Sequence, residues 1–311
     1  MYDIRQVYQP KDLGEALSLL AEHPDAIVIS GGTDVLIKVR ERKWKDCSLL
    51  SIHRLPQLQG VRREKEELVV GPGTCFDQLH ETGVIREHAF CLWQAADQVG
   101  SPQIRTVATL GGNICNGAVS ADSAPPLLGL NARLELTDIS QTKRQLDIGA
   151  FYTGPGRTAL DRKRELLTAV RIPIIRPGCG SYYIKYGKRN ALEISTLGCA
   201  AYVELDAGKK TFREVRIAFG VAAPVPMRCP AVEALVKGLP VDRHTLRLLG
   251  DAVGRELFPR DSWRASRELR MQLIRELSQR AVEGAVKQAG GILNESDPHD
   301  SQRNTSGAGC P

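Results

Sequence analysis

Two glycine-paired stretches carry residue types suited to holding an anionic ligand. The first is Val28-Ile29-Ser30-Gly31-Gly32-Thr33-Asp34-Val35. Paired glycines let a backbone approach a ligand closely and expose N–H groups at the start of a helix, where a diphosphate fits. A tight strand-to-helix turn with no ligand makes the same demands. The segment is neither G-x-G-x-x-G nor a P-loop, so neither standard nucleotide fold is supported.

The second stretch runs from Gly100 to Ser123 and contains Thr109-Leu110-Gly111-Gly112-Asn113-Ile114-Cys115-Asn116-Gly117. It is too polar for a core and too punctuated for a linker, so it reads as a long loop, either structural or wrapped around a ligand. In the second case Gly111 and Gly112 permit close backbone approach. Asn113, Asn116 and Asp122 offer donors and acceptors for a sugar or phosphate.

Other chemistry is excluded by spacing. The eight cysteines form no C-x-x-C pair, and the six histidines no H-E-x-x-H, so neither a zinc ribbon nor a ferredoxin-type cluster is expected and no metal ligands are assigned. A redox role would have to come from a bound organic cofactor. The net charge is +6, with both signs mixed along the chain, which does not support nucleic-acid binding. Two local cation runs, Arg40 to Lys43 and Lys185 to Arg189, could be solvated loops or could attract a phosphate-bearing ligand or an acidic partner. The N-terminus shows no secretory signal and no apolar run approaches the roughly 20 residues of a membrane span, so a cytoplasmic address is expected.

The elements around these stretches read as follows. Leu13, Ala16, Leu17 and Leu20 recur at helical spacing behind a capping box from Asp12 to Glu15. Residues 26–29 form a short strand, and 35–39 a second helix after the first glycine pair. Strands are expected at 48–52, 68–70 and 132–136, with residues 62–67 as a charged hairpin or loop, Thr74 capping a short helix and 88–99 a buried helix. Beyond a Pro- and Gly-rich boundary at 173–180, Tyr182, Ile184 and Tyr186 alternate, as do Val215, Ile217, Phe219 and Val221, which predicts half-covered antiparallel strands. Helices follow over 231–237, 243–257 and 265–288. The segment from 294, short of aliphatic residues, reads as disordered.

The order and content of Ser30 to Asp34 and Thr109 to Gly117 resemble the two FAD-binding segments of the flavoprotein subunits of molybdenum hydroxylases, the family of xanthine dehydrogenase and aerobic carbon monoxide dehydrogenase. The resemblance covers roughly residues 1–292. Three stretches, Asn113 to Ala124, Gly220 to Pro224 and Ser262 to Ser266, favour the branch that serves bacterial xanthine dehydrogenase. The implied fold is α+β: a two-part FAD-binding region of the vanillyl-alcohol-oxidase (PCMH) type at 1–57 and 58–176, then a C-terminal α+β domain of the carbon monoxide dehydrogenase flavoprotein type at 177–292, and a disordered tail at 293–311.

The resemblance also implies residue roles. Val28, Ile29, Ser30, Gly31, Gly32, Thr33, Asp34 and Val35 would cradle the FAD diphosphate, and Thr109, Leu110, Gly111, Gly112 and Asn113 would line the flavin and ribityl region. Val99, Asp122, Leu167 and Lys185 fall at further contact positions. Lys185 makes physical sense there, since a cation stabilises negative charge on a phosphate or a reduced flavin. FAD is expected to be non-covalent, with Cys115 read as a packed small residue rather than a tether. Some relatives carry an inserted cysteine-rich segment for an extra iron–sulphur cluster, and this chain does not.

In function, the resemblance implies the flavin subunit of a heterotrimer of the xanthine dehydrogenase kind. A partner subunit holds the molybdenum cofactor, another holds 2Fe-2S clusters, and NAD accepts a hydride from the flavin. No catalytic side chain is assigned, because the hydride chemistry belongs to the cofactor. The alternatives are the flavin subunit of a carbon monoxide or aldehyde/heteroaromatic dehydrogenase, or a stand-alone flavin oxidoreductase.

Overall fold

The computed structural model describes residues 2–294, so the expected disorder from 295 onward lies outside the described residues. The first unit is a small parallel sheet with helices on its connections. It comprises β1 (Ile4–Tyr8), α1 (Leu13–Glu22), β2 (Ile27–Ile29), α2 (Val35–Arg40) and β3 (Cys47–Ser51), with strand order β1-β3-β2. Asp12 caps α1 by accepting from the Glu15 N–H, and the spaced apolar residues Ala16, Leu17 and Leu20 are buried against Leu50, Leu55 and Leu58.

The second unit opens with β4 (Val61–Glu64) and β5 (Glu67–Val70). A helical layer follows: α3 (Phe76–Glu81), α4 (Gly83–His88), α5 (Phe90–Asp97), α6 (Pro102–Arg105), α7 (Leu110–Cys115) and α8 (Ala124–Gly129). It closes with β6 (Arg133–Asp138), β7 (Lys143–Asp147), α9 (Ile148–Phe151), the hairpin β8 (Tyr152–Gly154) and β9 (Arg157–Thr158), and β10 (Glu165–Pro173). The sheet is antiparallel in the order β4-β5-β10-β6-β7.

One local expectation takes a definite form here and two change. Of the hairpin or loop expected at 62–67 the hairpin forms: residues 61–64 pair with β5 as a strand, two residues turn the chain, and Lys65 takes the positive φ of 53°. The short helix near 76 is capped at Cys75, with Gln78 reaching back to the Cys75 N–H, and not at Thr74. The long polar stretch from Gly100 to Ser123 is partly helical, folding into the short α6 and α7, whose caps Ser101 and Thr109 accept from Ile104 and Gly112.

The third unit is a meander of β11 (Cys179–Tyr186), β12 (Leu197–Leu205), β13 (Phe212–Gly220) and β14 (Met227–Arg228), followed by α10 (Pro230–Val236), α11 (Arg243–Val253) and the 22-residue α12 (Arg267–Gln288). β12 was not foreseen. It is buried on both faces: Leu197, Cys199, Ala201, Val203 and Leu205 join the core under α10, α11 and α12, while Ala200 and Tyr202 join the core under α5 and α8. A doubly covered strand shows no polar alternation, which hid it from period-two reading. At the end of the described chain, Leu293 packs against the C-terminal core and the Asn294 N–H bonds the Val241 carbonyl, so the ordered chain runs past the limit of 292 expected from sequence.

Candidate functional site: two interlocked glycine turns and a buried ion pair

The two glycine stretches meet. Thr109 Oγ1 donates to Ser30 Oγ at 3.1 Å and, as the cap of α7, accepts from the Gly112 N–H at 3.1 Å. A Cβ on Gly31 would lie 1.9 Å from the Val107 carbonyl oxygen and 2.9 Å from the Ala108 Cα, so the turn after β2 lies on the backbone that leads into α7. No side chain fits at Gly31. Gly32 is buried with φ +75°, which L side chains rarely adopt. Lys38 of α2 adds a third tie, donating to Asn116 Oδ1 at 3.1 Å.

The backbone donors of the two turns are used differently. In the first, the Leu36 N–H bonds the Gly32 carbonyl, and among the described residues no carbonyl takes the N–H groups from Gly32 to Val35. Those donors are available to an anion. In the second, the Leu110 and Gly111 N–H groups are taken by the Thr74 and Pro72 carbonyls at 3.0 and 2.7 Å. A Cβ on Gly111 would lie 2.5 Å from that of Pro72. Gly111 therefore serves close approach of protein to protein, where the sequence suggested close approach to a ligand. Gly112 is exposed at the same turn, and its missing side chain leaves the surface there bare. Asn113 Oδ1 accepts from Ser123 Oγ at 2.6 Å.

A buried charge network stands beside α7. Asp122 Oδ2 accepts from Lys185 Nζ at 2.8 Å, and Asp122 Oδ1 accepts from the hydroxyls of Tyr183 and Ser195. Lys185 Nζ also donates to the Gln98 carbonyl at 2.7 Å, and both charged side chains are under a tenth exposed. Burial, with Asp122 close by, pushes the Tyr183 phenol well above its ordinary value, so it stays a donor. An ammonium has three N–H groups, so one on Lys185 remains for a ligand acceptor. Val99 is buried at the end of the α5 connection, beside Gly100 with φ +52°. Leu167 lies in the core of β10 opposite Leu136, next to a register shift before Ala169, with no polar link to the other expected contacts.

Cys115 is packed. Burial pushes its thiol up to about 12, so it is not a thiolate at neutral pH. Residues that the sequence reading did not place in the site back it: Pro72 and Thr74 accept from α7 by their carbonyls, Val107 lies against Gly31, and Tyr183, Ser195 and Gln98 surround Asp122 and Lys185. Only the Gly71-Pro72-Gly73-Thr74 run carried a signal, being turn chemistry directly after a strand.

A cleft of about 570 Å³ lies elsewhere, lined by Glu67, Arg176, Cys179, Tyr202, Glu204 and Arg213 among others. Its charges are already spent on each other, Arg213 with Glu204 and Arg176 with Glu66. Size alone does not make it the site, since the free backbone donors lie at the glycine turn. Among the described residues no three His, Cys, Asp or Glu side chains cluster as a metal ion requires, and no helix is long and apolar enough to cross a membrane.

Comparison with known proteins gives the class. Residues 2–175 match the family described as FAD binding domain in molybdopterin dehydrogenase, and residues 182–285 match the CO dehydrogenase flavoprotein C-terminal domain. The chain therefore belongs to the FAD-binding flavoprotein family of the molybdenum hydroxylases, with the PCMH-type and C-terminal domains of that family. It is 40% identical over 294 residues to the xanthine dehydrogenase FAD-binding subunit of Escherichia coli O157:H7, covering 94% of this chain and 100% of that one. It is 32% identical to the nicotinate dehydrogenase FAD-subunit of Eubacterium barkeri, over 78% of this chain and 82% of that one. Among solved structures, carbon monoxide dehydrogenase from Hydrogenophaga pseudoflava superposes with a TM-score of 0.87 at 26% identity, covering 93% of this chain and 99% of that chain.

Proposed function

We propose that this chain is the FAD-carrying subunit of a xanthine dehydrogenase-type molybdenum hydroxylase of the cytoplasm. It takes electrons from 2Fe-2S clusters on one partner subunit, while another partner subunit carries the molybdenum cofactor and oxidises the purine. The identity of 40% across the whole length of a xanthine dehydrogenase FAD-binding subunit carries this reading. Bound FAD supplies two-electron chemistry, including hydride transfer to NAD.

The residues fit that cofactor. The unclaimed N–H groups from Gly32 to Val35, with Val28 to Gly31 shaping the turn, hold the diphosphate non-covalently. Thr109 to Asn113 present a surface bare at Gly112 to the ribityl chain and ring. Lys185, fixed by Asp122 and Gln98, directs its remaining N–H at the cofactor and favours negative charge there. Val99, Asn116, Asp122 and Leu167 complete the wall.

The test is to co-express the chain with its candidate partners, release the chromophore by heat, and assay xanthine-dependent NADH formation. FAD with NADH formation is the expected result. A complex that reduces NAD only with nicotinate would favour the second reading, which the 32% identity to a nicotinate dehydrogenase FAD-subunit supports. FMN, or a colourless chain that FAD does not restore, would overturn both. Turnover of a small substrate by the chain alone would mark a stand-alone flavin oxidoreductase.

A further inference from the structure

The cation run after Lys185 finds its company at the start of α12. Lys188 Nζ lies 5.8 Å from the centroid of the Trp263 ring, and the Arg264 guanidinium 4.4 Å from it, yet Trp263 stays 78% exposed. Phe258, Leu192 and Ile194 are exposed as well. A large indole held in water by two cations is an unusual use of surface unless something covers it.

The charge there is not balanced. Arg189 is paired with Glu193, but among the described residues Lys188, Arg260, Arg264 and Arg270 have no carboxylate within ion-pair distance. Arg270 is buried, and its N–H groups go to the carbonyls of Thr196 and Arg260 and to Ser262 Oγ, with Asp261 the nearby carboxylate but no ion pair formed. Burial, together with Arg260 and Arg264 nearby, lowers its pKa from the ordinary value against the weaker opposing effect of Asp261. Arg264 Nε and Thr196 Oγ1 are both buried without a hydrogen-bond partner. The positive end of the α12 dipole gives cations no compensation either.

This patch adjoins the Asp122 network. Lys188 is three residues beyond Lys185, at most about 10 Å along an extended chain. The loop that carries it returns through the Leu192 N–H, bonded to the Gly100 carbonyl, and Ser195, bonded to Asp122.

We propose that Lys188, Arg264 and Trp263 take the adenosine diphosphate half of the nicotinamide dinucleotide, with the diphosphate on the two cations and the adenine on the indole. A dianion joined to a flat ring matches uncompensated positive charge beside an exposed aromatic plane. The inference rests on the reading above that a nicotinamide dinucleotide is the electron acceptor.

The test uses the FAD-loaded full chain oxidising NADH with ferricyanide as terminal acceptor. Arg264→Ala and Trp263→Ala should each raise the KM for NADH about tenfold, with a smaller effect on kcat. Their KM for reduced nicotinamide mononucleotide, which lacks the adenylate, should rise less than twofold. Lys188→Glu, on an exposed loop, should repeat the pattern more strongly. An NADH KM unchanged in all three variants, with the parent chain active, overturns the site and leaves the flavoprotein reading intact. Equal losses with both reductants also overturn it, placing the effect at the flavin. A parent that binds FAD but oxidises no NADH removes the acceptor reading, and the site falls with it.

Discussion

Asp122 is the residue whose loss should be felt most widely. It compensates a buried ammonium and receives two hydroxyls, so Asp122→Ala leaves Lys185 charged and unpaired. Breaking a buried pair from one side costs about 3–5 kcal/mol. Asp122→Ala should lower stability by that order, measured by denaturant unfolding, and the double variant with Lys185→Met should recover part of the loss. Gly31 makes a different demand. The nearest atoms to its missing Cβ are backbone, which cannot swing away, so Gly31→Ala should part the two turns and reduce bound FAD in a protein that still folds. Full flavin occupancy in that variant would count against the turn as the diphosphate site. Glu165 supplies a pH test. Arg144 donates to both its oxygens at 2.6 and 2.8 Å, and this pair lowers its pKa, against the opposing effect of burial. A depressed folded-state value means stability that is present above the unfolded carboxyl value, about 4.3, and is lost as pH falls through the folded one. Glu165→Gln should flatten the stability profile in that acid window, and an unchanged profile would show that the pair contributes nothing.

Among the elements, the clearest sequence signal was the Asp12 cap joined to helical periodicity in α1. Asp12, read from sequence, accepts from the third N–H of its helix at 2.8 Å, and Asp242, which the sequence reading did not single out, does the same for α11. Asp242→Ala should cost about 1 kcal/mol through α11, read as a shift in the unfolding midpoint with unchanged slope. Strands were legible where apolar and polar or small residues alternate along the chain and hidden where the run has almost no polar position. β11 and β13 announced themselves by alternation at Tyr182 to Tyr186 and Val215 to Phe219, while β12 and β10 did not. A strand packed on both faces needs no polar position, and β12, with Glu204 as its one charged residue, has almost none to record.

For the whole molecule, the third sheet is shared. α5 and α8 of the FAD-binding half cover one face of β11 to β13, and Tyr183, Ala200, Tyr202 and Ala218 belong to the core of that half. The Cys91 N–H donates to Ser181 Oγ and the Tyr183 N–H to Gln94 Oε1, fastening α5 to β11. A chain ended at residue 176 would expose this apolar face, so it should be recovered mainly as aggregate, and the intact chain should unfold in one transition. A soluble, cooperatively folded 1–176 fragment would refute that coupling.

The sequence by itself determined the local devices: helix caps, glycine pairs, alternating strands, and the family resemblance carried by Ser30 to Asp34 and Thr109 to Gly117. These depend on residue type and short spacing, which a linear chain displays directly. Tertiary structure alone decided which glycine stays exposed and which packs against protein, because Gly111 and Gly112 are neighbours in sequence and only Gly111 lies against Pro72. It also decided that Lys185 is held by Asp122, 63 residues away, and that Trp263 stands exposed between Lys188 and Arg264. Such pairings are set by how sheets and helices stack, and stacking brings together residues whose separation along the chain carries no trace of it.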